Sequence, residues 1–363
     1  QRCDKLMALD QAFLDRLADT DKNLHLDLLQ YRKARNSLSA VQISELIISA
    51  GKVLDEFLIG FFEIEDEAET LEKAITAFSP IFGFKKWFVL RRAKRRLLRD
   101  EALPEFGELD AWLKTKIDDT LDREYAIAQF GLGLLDDKDL HDADIETLTQ
   151  WCIQALKTPE GQKVVAGWGS FILPNRTDYK RLIPIVPIGN ADTLCKSLPD
   201  KTLRKRDGFD LTDPRMSQAA VMSEIDYCVY CHDHDGDLCS KGFPEKKSDP
   251  DAGFKTNPLG NTLTGCPLDE KISEMISLKK SGFSLAALAT VMIDNPMCPA
   301  TGHRICNDCM KSCIYQKQDP VDVPEIETRV LTDVLDLPWG VEIYDLLTRW
   351  NPLRSTQYLP KPY

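Results

Sequence analysis

The chain has 363 residues, 43% of them hydrophobic, and a formal net charge of −12. That length supports two or more domains whose cores need no disulfide staples, and the acidic balance argues against nucleic-acid binding, which normally needs a basic surface. Apolar runs such as Phe57-Leu58-Ile59-Gly60-Phe61-Phe62 fall well short of the roughly 20 residues that cross a bilayer, so no membrane span is expected.

No charged segment followed by an apolar one and a small-residue cleavage site opens the chain at Gln1, so it reads as trimmed or excised rather than secreted. Phe13, Leu14 and Leu17 begin a first helix. Ser39 and Gln42 form a capping box, after which Ile43, Leu46, Ile47, Ala50, Val53, Leu54 and Phe57 trace one apolar stripe. Lys85, Lys86, Arg91, Arg92, Lys94, Arg95, Arg96 and Arg99 are interleaved with aromatic and aliphatic residues. That run suits either a membrane or nucleic-acid contact or a helix with a solvated basic face, neutralised by acids elsewhere in the chain or across a subunit contact. Ile145, Leu148, Trp151, Cys152 and Leu156 mark a further helix capped near Asp144, with Cys152 as a packed core residue.

From Trp168 onward prolines interrupt any long helix, and an irregular connector is expected. The polar stretch between Cys239 and Cys266 reads as a surface excursion. Leu268, Ile272, Met275, Ile276 and Leu278 are helix-spaced, and a second helix runs from a Ser284 cap through Leu285, Leu288 and Val291 until Asn295-Pro296 ends it. The tail around Trp339 and Trp350 is aromatic and broken by proline, and is expected to pack on a further domain.

Eight of the eleven cysteines lie between Cys228 and Cys313. Cys228-x2-Cys231 and Cys306-x2-Cys309 alone would make a four-cysteine zinc site, but that leaves Cys239, Cys266, Cys298 and Cys313 unexplained. Two iron-sulfur cubanes use more of them, each drawing on a tight loop plus a distant cysteine. Cysteines confined to metal-ligand spacings favour a reducing, cytoplasmic location. His232 and His234 do not have the separated Cys-His spacing of a Rieske centre and fit a role beside the site, whereas His303 or Arg304 could tune a cluster's potential.

The series Cys228, Cys231, Cys239, Cys266-Pro267, a helical hairpin and Thr301-Gly302-His303-Arg304-Ile305-Cys306, Cys309 and Cys313 resembles the N-terminal iron-sulfur domain of the glutamate synthase small subunit and of dihydropyrimidine dehydrogenase. From Asn295 to Pro352 the likeness is greatest to that domain in large bacterial FAD-dependent pyridine nucleotide-disulfide oxidoreductases. The resemblance implies two 4Fe-4S clusters, one held by Cys228, Cys231, Cys239 and Cys313, the other by Cys266, Cys306, Cys309 and Glu327, with Cys298 as the alternative fourth ligand. It also implies FAD and NAD(P)H on a partner or missing domain, because Gly131-x-Gly133 and Gly167-x-Gly169 are lone pairs without a dinucleotide fingerprint. The helical first half carries no family signature.

The expected fold is therefore mainly α with little β: a helical domain over 1–165, a connector over 166–225, an α-helical two-cluster ferredoxin-like domain over 226–330, and a tail over 331–363 that leads to or docks the missing flavin domain. The expected activity is that of an oxidoreductase component relaying single electrons between flavin and an acceptor. Its partners would be a flavin/NAD(P)H domain or subunit and a further redox subunit, and the segment alone would not turn over. The alternatives are a zinc-stabilised helical interaction module without redox activity, and a redox-sensing switch whose output domain is not seen. No Gly-x-Ser-x-Gly motif supports a serine hydrolase.

Overall fold

Asp21 breaks the chain's first helical stretch in two. Its carboxylate accepts the amides of Asn23 and Leu24 at 2.8 and 3.1 Å, so α1 (Arg2–Thr20) ends and α2 (Lys22–Lys33) starts with its own cap. The computed structural model describes residues 2–34, 37–118, 120–137, 139–183, 185–187, 196–197, 208–209, 215–234, 236–246, 249–302 and 305–355. The next helix, α3 (Ala40–Phe62), opens on the expected reciprocal Ser39–Gln42 box and stops at Glu63, which takes a left-handed φ of 54°. Acids at Glu65, Asp66 and Glu67 face the positive end of α4 (Glu65–Thr76).

A second set of helices follows: α5 (Ser79–Phe84), a π-helical stretch Lys85–Ala93, α6 (Lys94–Arg96), α7 (Phe106–Lys114), α8 (Arg123–Gly133), α9 (Asp142–Lys157) and α10 (Pro159–Val164). The cap expected near Asp144 lies further back, since α9 starts at Asp142 behind His141 with no side-chain cap. An acid in the first turn serves the helix dipole almost as well as a cap, which is why the sequence signal misplaced the boundary. The basic run falls on the π stretch and α6. Arg96 is neutralised within the chain by Glu101 and Glu146 at 2.7 and 2.8 Å.

Among the described residues the rest is helix and loop apart from two two-stranded antiparallel sheets. β1 (Val186–Pro187) pairs with β2 (Lys196–Ser197). After α11 (Gln218–Tyr227) and α12 (Leu238–Lys241), β3 (Pro244–Lys246) pairs with β4 (Asp249–Phe254), so the expected surface excursion contains an exposed hairpin. Then come α13 (Ile272–Lys280), α14 (Ser284–Asp294), α15 (Cys298–Thr301), α16 (Asp308–Lys311), α17 (Val323–Leu335) and α18 (Gly340–Arg349). Part of the expected connector, 188–195 and 198–207, lies outside the described residues, and α11 occupies its end, capped by Ser217.

The apolar side chains gather into two cores. One joins residues of 13–64 to residues of 221–353, and the other is built mainly from 81–165 around Trp151. Within the first, α14 is buried from Ser284 to Ile293 and lies against α3, where Ala286, and Leu278 of α13, pack beside Gly51. Ser284 is not the cap of α14. The helix start is served by Asp55 of α3, which accepts the Ala286 amide at 2.8 Å. Trp350 packs on Phe13 and Phe57 and donates its indole N–H to Asp10 at 3.0 Å, while Arg32 donates to the Pro352 carbonyl. The tail residue expected to meet another domain thus closes this chain's own core, and Trp339 stays 58% exposed. Among the described residues no helix is long and apolar enough to cross a membrane.

Candidate functional site

The cysteine loops are stitched together by backbone before any metal is considered. The Cys266 amide donates to the Cys239 carbonyl at 2.9 Å. Beside them Gly242 and Gly265, both at positive φ, approach so closely that a Cβ on Gly265 would stand 2.4 Å from the Gly242 nitrogen. The Gly265 amide donates to the buried Ser312 hydroxyl at 2.9 Å, which ties this pair of loops to the one bearing Cys313.

As a result Cys228, Cys231, Cys239 and Cys313 line one small cavity of about 20 Å³, walled otherwise by Ile272, Ile276, Val321, Val323 and neighbouring residues. Backbone amides point at the sulfurs. The Tyr230 N–H meets Cys228 Sγ at 3.4 Å, the Leu238 amide reaches Cys231, and amides of Tyr315, Val321 and Ile314 reach Cys313. Burial pushes the Cys228 thiol up to about 12 against the Tyr230 amide, and pushes Cys239 well above the usual thiol range. Buried thiols without a cationic partner stay protonated, whereas a bound metal reverses that balance and takes thiolates.

The second set lies next to the first, close enough for Cys309 to influence Cys239. Amides of Glu270 and Leu268 reach Cys266, whose thiol burial raises to about 11. The Asp308 amide donates to Cys306 Sγ at 3.5 Å, repeating the Cys228–Tyr230 arrangement in the other Cys-x2-Cys loop. Cys309 is buried among Glu327, Cys266, Cys306 and Glu270, which with burial hold it well above its ordinary value. Both candidates for the fourth position are here. Glu327 has one carboxylate oxygen sealed from solvent with no hydrogen-bond partner, and Cys298 is buried and raised to about 12 by burial and by Glu327 and Glu270. No amide from another residue is among the main influences on Cys298.

Glu270 was not foreseen from the sequence. It is buried, hydrogen-bonds Glu327 and Asn295, and helps raise Glu327 well above the usual carboxylate range after burial. Its place three residues after Pro267, preceded by Asp269 at φ 58°, is the only local hint. His232 bonds Ser273 at 2.5 Å through Nδ1 and stands beside the site as expected, and His234 is exposed. His303 and Arg304 lie outside the described residues.

Among the described residues no three His, Cys, Asp or Glu side chains converge as a single metal ion would require. A tetrahedral zinc with Zn–S near 2.3 Å draws its sulfurs to within about 3.8 Å of one another. A cubane binds each thiolate to a different iron, so its ligands stand around the cluster rather than around one point.

A model of the RP005 N-terminal alpha-helical domain matches residues 2–63, the span of α1 to α3 and the left-handed Glu63 that ends them. The chain is 66% identical over 65 residues to uncharacterized protein RP006 of Rickettsia prowazekii (strain Madrid E), a match covering 18% of this chain and 9% of RP006. It is 26% identical over 290 residues to uncharacterized protein RP005 of the same organism, covering 76% of this chain and 93% of RP005. No solved structure matches. These matches overturn the resemblance to the glutamate synthase and dihydropyrimidine dehydrogenase iron-sulfur domain, since no iron-sulfur or oxidoreductase family is among them. They also supply a family match within the first half, where the sequence offered no signature. Cysteine spacing is a short pattern that unrelated chains can share, so it carried less family information than the helices at the start.

Proposed function

We propose that this chain holds two 4Fe-4S clusters and relays single electrons between partner proteins. The observation that carries the reading is the gathering of Cys228, Cys231 and Cys239 with the distant Cys313 around one apolar cavity, with backbone amides aimed at three of the sulfurs. Bound clusters would supply one-electron transfer at a potential set by burial, hydrogen bonding and charge. The amides favour the thiolate form of their sulfurs and would raise the potential of a bound cluster, and the apolar wall would limit water beside it. Cys266, Cys306, Cys309 and Glu327 would hold the second cluster. Cys306 is exposed, so this cluster would offer the shorter path to a partner. A flavin or nicotinamide partner rested on the overturned resemblance and is not part of the proposal.

The test is iron, zinc and acid-labile sulfide analysis of anaerobically purified protein, with visible and electron paramagnetic resonance spectra before and after dithionite. About eight irons and eight sulfides per chain, as two cubanes require, with an absorbance that bleaches on reduction, is the expected result. Stoichiometric zinc without sulfide would overturn it in favour of a zinc-stabilised helical module.

A further inference from the structure

A second concavity lies beside the cysteine site, and the cluster reading does not use it. Arg176, Lys255 and Lys317 line a pocket of about 380 Å³, together with Tyr179, Phe243 and Asn257. That size falls in the range of small-molecule sites. Among the described residues no acidic one lines it, in a chain with 58 acidic and 46 basic residues. Three exposed cations lining one pocket therefore run against the composition.

The three cations come from separate segments held by backbone. The Thr177 amide donates to the Lys317 carbonyl at 3.1 Å, and Arg176 and Gln318 form an antiparallel bridge. The Tyr179 hydroxyl donates to the Gln316 carbonyl at 3.0 Å. Across the pocket the Lys255 amide donates to the Phe243 carbonyl at 2.9 Å, and the Lys255 ammonium lies 4.5 Å from the Phe243 ring centre. Among the described residues none of the three cations forms an ion pair.

The arginine-rich pocket on the π stretch and α6 differs. Asp142 and Glu146 share its lining, Arg96 is paired, and Arg92 donates to the Trp87 carbonyl. The chain's own acids share the lining of that basic surface, whereas among the described residues no acid lines the pocket of the three cations.

We propose that the pocket of Arg176, Lys255 and Lys317 binds a small phosphorylated molecule, with the ring of Tyr179 beside it for a planar group. A guanidinium fork and two ammonium groups match a multiply charged phosphate better than a single carboxylate. The proposal concerns this pocket alone and does not depend on whether the cysteines hold clusters.

The test is calorimetric titration of the full chain, free of divalent metal, with ADP, inorganic pyrophosphate and succinate. ADP and pyrophosphate are expected to bind, and succinate about tenfold more weakly. Lys255→Gln and Lys317→Gln should each weaken ADP about tenfold, the loss of one charged hydrogen bond, with unchanged circular dichroism, while Arg95→Gln on the other basic surface leaves binding as it was. No binding of ADP or pyrophosphate at millimolar concentration would overturn the proposal. So would binding that survives both lysine variants.

Discussion

The two cores bury cysteine in opposite ways. Cys152 in the Trp151 core is fully buried, and burial alone dominates its raised thiol, with only its own backbone opposing. Cys231, Cys266 and Cys313 are also wholly or partly buried, but each has amides from other residues directed at its sulfur. The cores differ likewise in charge. The first buries Asp55, Glu270, Glu274, Lys279, Glu325 and Asp333, whereas the Trp151 core has few such groups, Lys85 and Asp110 among them. One core is built for packing, and the other holds polar groups whose burial costs free energy unless they are partnered.

The comparison breaks most visibly at the cysteines. Cys313→Ser is expected to remove about four of about eight irons and to lower hydrogen-exchange protection in α13 and α17. Cys152→Ala is expected to leave iron and sulfide unchanged. Equal iron loss in both variants would erase the distinction between the two cores.

Trp151→Ala comes next. Trp151 is fully buried against Phe106, Trp168 and Phe171, so truncation should cost about 3–5 kcal/mol in a denaturant melt followed by tryptophan fluorescence. Metal content should be unaffected, because the cysteine loops are tied to the other core. Iron loss in this variant would mean that the two cores fold as one.

A smaller effect is expected at Asp55. Burial pushes its carboxyl up to about 7 against amide bonds from Ala286 and Leu285. A folded value above the unfolded one, 3.8, means that the folded state binds the proton more tightly. The contribution to stability is full below 3.8 and is lost as pH rises through about 7. Asp55→Asn keeps an acceptor for the Ala286 amide without the charge. Its thermal midpoint should exceed that of the wild type at pH 8, and the gain should shrink towards pH 5. A gain independent of pH would assign the effect to packing instead.

The smallest effect is expected on the surface. Lys73 and Glu69 pair at 2.5 Å with most of both side chains in solvent, so Lys73→Ala should change stability by no more than about 0.5 kcal/mol in the same melt. A larger loss would mean that α4 depends on that pair.

Features resting on neighbours in sequence were legible. The Ser39–Gln42 box and the stripe on α3 need only helical spacing, and the structure has both. The cap of α14 was not legible, because its acceptor is Asp55 on another helix. Ser284 was read as that cap, yet it lies inside the helix with a buried hydroxyl that has no partner. At the candidate site the sequence named the cysteines and Glu327. It missed Glu270, whose meaning comes from the carboxylate it meets across the fold.

By itself the sequence determined a mainly helical chain, a run of cysteines at ligand spacings, and an acidic balance with no apolar stretch long enough for a bilayer. These follow from composition and short-range periodicity, which act through adjacent residues. Only the tertiary structure decided that Cys228, Cys231, Cys239 and Cys313 share a cavity, that Trp350 seals the core formed by the first helices, and that Arg176, Lys255 and Lys317 meet in one pocket. Each of these joins groups far apart in the chain, and their proximity comes from burying helix faces against one another, a global optimum that no local pattern encodes.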